Sequence, residues 1–168
     1  MFAYNIFLIG FMGTGKSTVA AYMEQNYRMQ ILEMDQEIVK MEGLSIQDIF
    51  AQKGEAYFRE IETKLLANLK MQKNQVVSCG GGAVLREENI SYMKQNGKIV
   101  LLTASPQSIL ERVKEDEGRP LLTGKKNVAA IEELMAARRE QYEKAADIRI
   151  QTDNKSIDEI CQEIVRLL

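Results

Sequence analysis

The sequence predicts an α/β fold: a central parallel sheet of about five strands with helices on both faces. Three observations predict it. Continuous apolar runs such as NIFLI at 5–9 and IVLLT at 99–103 are what strands buried on both faces require. Between such runs lie stretches with apolar residues at helical spacing, clearest at Ile157, Ile160, Cys161, Ile164, Val165 and Leu168. A glycine-rich turn, GFMGTGKST at 10–18, joins the first run to a helix. Strand alternating with helix places the crossovers on the sheet faces.

The elements follow in order. NIFLI enters the core first, and QILE at 30–33 is a second, weaker strand. Residues 35–73 are largely helical with no strand among them, which marks an insertion at about 34–73 within a single domain spanning 1–168. VVSC at 76–79 and IVLLT at 99–103 are the third and fourth strands, and Ser105-Pro106 reads as N-cap and first residue of a helix. DEGRPLLTGKKN at 116–127 is polar and broken by Gly, Pro and Gly, as expected of a mobile loop. DIRIQ at 147–151 is the last strand, and Ser156 with Glu159 forms a capping box for the final helix.

Composition narrows the chemistry. The 168 residues are 45% hydrophobic and 27% charged, with a net charge of -2, so there is no general basic field for nucleic acid and an anion site must be local. The absence of histidine removes the usual general base and zinc ligand. Cys79 and Cys161 sit in apolar patterns and read as small buried hydrophobes. The apolar N-terminal stretch is too short to span a membrane and has no basic n-region. A cytoplasmic location and a monomer are the expectation.

The glycine-rich turn satisfies G-x-x-x-x-G-K-[ST] with Gly10, Gly15, Lys16 and Ser17. Its backbone N–H groups curl around phosphate oxygens, and the helix that follows adds its positive dipole end. In such a loop the lysine reaches the β- and γ-phosphates and the serine hydroxyl ligates Mg²⁺. A nucleoside triphosphate with Mg²⁺ is therefore the expected ligand. A guanine-reading N-K-x-D is missing, since NKSID at 154–158 puts its aspartate one residue late. The length suits a small kinase with a small acceptor.

Three stretches offer an acceptor pocket. LEMDQEI puts Glu33 and Asp35 at the end of the second strand, where alternate residues share a face; Asp35 is alternatively a helix N-cap. GEAYFREIE supplies Arg59, alternatively half of a surface pair with Glu62. SCGGGAV at 78–84 ends the third strand with glycines that allow close approach of a ligand to the backbone; a tight turn is the alternative.

Taken together, GFMGTGKST, DQEI at 35–38, GEAYFR at 54–59, GGG at 80–82, GRPLL at 118–122 and RREQY at 138–142 resemble the shikimate kinase family from residue 5 to about 165. The resemblance implies a three-layer P-loop kinase fold with a lid at about 112–127. It also implies transfer of the ATP γ-phosphate to the 3-hydroxyl of shikimate. It places the nucleotide on Gly13, Thr14, Gly15, Lys16, Ser17 and Thr18, with Arg112 and Lys155 near the base. Shikimate would lie on Asp35, Arg59, Gly80, Gly81, Gly82 and Arg138. Lys16, Asp35 and Arg119 would be catalytic, with Arg119 on the lid. Mg²⁺ would be held by Ser17 and, through water, Glu33.

Two departures stand out. The family commonly has aspartate in place of Glu33, and often a proline within 138–142, so that Arg139 rivals Arg138 for the carboxylate. A small kinase for another polyol acid such as gluconate would share the phosphate loop without needing both arginines and Asp35. A regulatory nucleotide-binding module would have no need of Lys16, Asp35 and Arg119.

Overall fold

A computed structural model describes residues 2–69, 72–114 and 127–168. Five strands form one fully parallel sheet in the order β2-β3-β1-β4-β5: β1 (Asn5–Ile9), β2 (Gln30–Glu33), β3 (Gln75–Ser78), β4 (Gly97–Thr103) and β5 (Ile148–Gln151). Alternate residues of β1 serve opposite cores. Ile6 and Leu8 pack with Val19, Ala20 and Met23 of α1 (Lys16–Tyr27) and Ile160, Cys161 and Ile164 of α8 (Ile157–Leu167). Phe7 and Ile9 face a larger cluster drawn from α2 (Met34–Glu42), α3 (Ile46–Lys53), α4 (Glu55–Asn68), α5 (Glu87–Asn96), α6 (Pro106–Val113) and α7 (Val128–Ala145). The sheet therefore has helices on both faces, as expected.

The strands expected at 5–9 and 30–33 match, and the others shift by one or two residues at an end. Ser105 and Ser156 cap α6 and α8 through their side chains, with Pro106 at the first turn and Glu159 completing the capping box. Among its described residues, the segment between β2 and β3 folds as α2, α3 and α4 without a strand. The expected loop at 116–127, and Arg119 with it, falls outside the described residues except for Asn127, whose side chain caps α7.

One expectation needs correction. Asp35 does not share a strand face with Glu33, because β2 passes directly into α2 at Met34. Glu33 occupies the N-cap position of α2 without a capping side-chain bond, and Asp35 sits in the first helical turn. A carboxylate there still favours the helix dipole.

The topology decides where a ligand can sit. β1 lies between β3 and β4, so the loop after β1 is flanked by the chain leaving β3. Both leave the carboxyl edge of the sheet, where open parallel sheets gather their ligands.

The capping box provides a test of the fold. Ser156→Ala removes the bond from Glu159 N to Ser156 Oγ at 3.3 Å. It should lower stability by about 1 kcal/mol, or roughly 2–4 °C in thermal melting for a chain of this size.

Candidate active site

The phosphate loop follows β1. Gly13 and Gly15 take φ of 75° and 95°, the left-handed region where side chains are strained. Gly15 is the N-cap residue of α1 and makes no side-chain cap, so the first N–H groups of the helix point outward as anion donors. Thr14 is buried and turns its hydroxyl inward to donate to Phe11 O at 2.8 Å. Ser17 and Thr18 are exposed on the first turn. Lys16 is half-buried, and its ammonium donates to Gly10 O at 2.8 Å and Phe11 O at 3.1 Å.

Oxygen donors meet beside Ser17. Its hydroxyl donates to Glu33 Oε2 at 3.1 Å and lies 3.5 Å from the hydroxyl of Ser78, the last residue of β3. No cluster of three or more acidic, Cys or His side chains that could hold a metal exists among the described residues. An ion here would need oxygens from a bound phosphate as well, which is how Mg²⁺ is commonly held.

Next to this lies the glycine triplet. None of Gly80, Gly81 and Gly82 adopts a left-handed φ, so a special turn does not account for them. Close approach does. A Cβ on Gly82 would fall within the Arg59 guanidinium. One on Gly80 would sit 2.7 Å from Glu62 Oε1 and 3.2 Å from Asp35 Oδ1. One on Gly81 would lie 3.5 Å from Arg138 Nη1 and 3.7 Å from the Tyr142 hydroxyl, with Gly10 O of the phosphate loop 3.9 Å away. Two arginines from separate helices, Asp35 and the phosphate loop thus meet at one short stretch of backbone.

Glu62 organises this corner. It is fully buried and accepts from Arg59 Nη1 at 2.7 Å, while Arg59 Nη2 reaches Glu55 at 3.1 Å. Burial holds the Glu62 carboxyl above its ordinary pKa and outweighs the opposing pull of Arg59; nearby Asp35 pushes the same way as burial. Arg59 Nε and Glu62 Oε1 remain buried without partners. Tyr142 donates its hydroxyl to Gly81 O and is itself bonded by Arg138. Burial raises the Tyr142 pKa against the influence of Arg138.

The sequence offered Glu62 only as the alternative, a surface partner of Arg59, and assigned Tyr142 no role; both are structural members of this corner. The signal for Glu62 was its i,i+3 spacing from Arg59. Ser78 was legible as a residue of the third strand at the start of the glycine stretch, with no sign of a role.

The remaining candidates lie near the phosphate loop and the segment after β5. Arg112 donates to Gly13 O at 2.9 Å and lies 3.4 Å from Thr152 Oγ1, tying the phosphate loop to the segment after β5. Lys155 is drawn onto Glu163 of α8 at 2.5 Å. Cys79 is buried, and burial pushes its thiol far above the ordinary value, in keeping with an inert core residue.

A family model described as shikimate kinase matches residues 12–168. The shikimate kinase of Persephonella marina is 45% identical over 161 residues, covering 96% of each chain. The solved shikimate kinase from Acinetobacter baumannii in complex with shikimate superposes with a TM-score of 0.91 at 33% identity, covering 98% of this chain and 92% of that one. That from Aquifex aeolicus gives a TM-score of 0.82 at 40% identity, covering 97% and 95%. A P-loop strand–turn–helix, a family model over residues 12–168 and near-complete overlap with these relatives agree: the chain belongs to the shikimate kinase family.

Proposed function

We propose that this chain phosphorylates the 3-hydroxyl of shikimate with the γ-phosphate of ATP, giving shikimate 3-phosphate and ADP in the route to chorismate and the aromatic amino acids. The observation that carries this reading is the convergence of Arg59, Arg138 and Asp35 on the glycine triplet, within reach of the phosphate loop. Guanidinium forks suit the planar carboxylate of shikimate, and bare glycine backbone leaves room for its ring.

Gly13, Thr14, Gly15, Ser17 and Thr18 cradle the phosphates from the loop and first turn of α1. Lys16 exchanges its carbonyl partners for β- and γ-phosphate oxygens. Arg112 braces Gly13 against the base side, with Lys155 at its margin. The all-oxygen set of Ser17, Glu33 and Ser78 suits Mg²⁺, which neutralises phosphate charge when bound. Arg59 and Arg138 hold the carboxylate, and Glu62 fixes the Arg59 fork. Asp35 accepts from the reacting hydroxyl and takes its proton late, since positioning dominates phosphoryl transfer. Arg119, outside the described residues, is assigned to the lid as a charge-stabilising cation. The enzyme is proposed to act as a cytoplasmic monomer; no described helix is long and apolar enough to cross a membrane.

The direct test is ADP release from ATP and Mg²⁺ with and without shikimate; release independent of shikimate would overturn the assignment.

Arg59→Ala and Arg138→Ala should each weaken shikimate by about 10- to 150-fold, the worth of one charge-assisted hydrogen bond. ATP affinity should change little. Arg139→Ala should leave shikimate affinity near wild type. The reverse pattern in a calorimetric titration would reassign the carboxylate to Arg139.

Gly81→Ala adds a methyl beside Arg138 and Tyr142 without backbone strain. Thermal melting should hardly move, while shikimate affinity at saturating nucleotide should fall. A lowered melting temperature with unchanged affinity would mean that the glycine serves the fold alone.

Glu62 predicts a pH signature. Its pKa is raised in the fold, so its contribution is fully present below the ordinary carboxylate pKa of about 4.3 and is lost as pH rises through the folded value. Glu62→Gln lacks this loss. The stability of the variant relative to wild type should therefore increase with pH above that lower bound, as followed by urea unfolding across mildly acidic to neutral pH. A flat difference would show that the carboxyl titrates normally.

A further inference from the structure

Successive residues on a helix point about 100° apart, and Arg138 and Arg139 use this. Arg138 turns toward Gly81, whereas Arg139 lines a separate cavity between α7 and the β4–β5 edge of the sheet. The cavity measures about 670 Å³, within the range of small-molecule sites. Leu101, Ala104, Met135 and Ala136 give it apolar walls, and Tyr142 belongs both to its wall and, through its hydroxyl, to Gly81.

The charges around it select a ligand. Asp153 is spent on the start of α6, accepting from Ser105 N at 2.9 Å and Ser108 Oγ at 2.6 Å. Arg149 and Glu143 face each other at 3.7 Å. Glu132 also borders the cavity. Arg139 has no hydrogen bond or ion pair with any described residue, so it is the available cation. Three carboxylates against two guanidiniums disfavour a polyphosphate. One free planar guanidinium beside apolar walls favours a single carboxylate on a flat apolar body.

We propose that this cavity is a third ligand site, separate from the nucleotide and shikimate sites although Thr14 of the phosphate loop and Tyr142 lie in its wall. It takes a small aryl monocarboxylate, with Arg139 holding the carboxylate and occupancy felt at Gly81 through Tyr142. The probe is 2-naphthoate, whose fluorescence is read against a chain without tryptophan. It is titrated into the full chain at saturating ADP, Mg²⁺ and shikimate, so that both substrate sites are filled. Saturable binding of one equivalent is expected to persist. Arg139→Gln should weaken it by roughly tenfold or more, as loss of a charge-assisted bond would. Ala136→Phe, which narrows the cavity beside Arg139 and keeps the chain free of tryptophan, should weaken it further, with circular dichroism and melting confirming that both variants fold. Shikimate affinity should shift when naphthoate saturates, and naphthoate affinity should shift by the same factor when shikimate does. Displacement by ADP or shikimate, unchanged binding in both variants, or no saturable binding would overturn the site; an unmoved shikimate constant would overturn its coupling to Gly81. This test does not depend on turnover, so failure of the kinase reading would appear separately as absent shikimate-dependent ADP release.

Discussion

The corner around the glycine triplet depends on one buried ion pair, Arg59 with Glu62 at 2.7 Å. Removing both charges from water is costly, and replacing such pairs by apolar residues is often neutral or stabilising. The pair is therefore poorly explained as a source of stability. It is better explained by what it leaves over. Glu62 Oε1 and Arg59 Nε have no partners, so this corner is stiff yet still has hydrogen-bonding capacity. A guanidinium anchored on one edge offers its other donors at a fixed angle, which is what bidentate recognition of a carboxylate needs.

Everything around the pair accommodates it. Gly82 is glycine because a side chain would overlap the guanidinium, and Gly80 because a side chain would press on Glu62. Tyr142 fastens the carbonyl between them and is itself bonded by Arg138, so the second arginine is held through the same backbone. The parallel register Leu8↔Ser78 then brings this stretch alongside the chain leaving β1. The phosphate loop and the glycine triplet are thus placed by one strand pairing rather than independently, and a change in that register would separate them.

Much of this was legible in the sequence because it is local. The phosphate loop is a contiguous motif, the capping box is a four-residue pattern, and buried parallel strands announce themselves as apolar runs. Helical phase was harder. The i,i+3 spacing of Arg59 and Glu62 is the same whether the pair faces water or the core, and only packing of α4 against α3 and α5 decides it. Asp35 was misplaced for a related reason: no loop residue separates β2 from α2, so strand alternation was carried past the strand's end. Which of Arg138 and Arg139 turns toward Gly81 depends on the orientation of α7, which no local pattern contains.

The substitution of glutamate for the family's usual aspartate at position 33 acquires a physical meaning from the same geometry. The longer arm lets the carboxylate contact the Ser17 hydroxyl directly at 3.1 Å. A hydroxyl has one proton and two lone pairs. With the proton donated to Glu33, the lone pairs of Ser17 are free to face a cation, and Ser78 stands 3.5 Å away as a further oxygen. The extra methylene therefore need not spoil a magnesium site. If Mg²⁺ is held as proposed, Glu33 would orient the Ser17 hydroxyl, and outer partners of this kind tune the atoms that touch a metal.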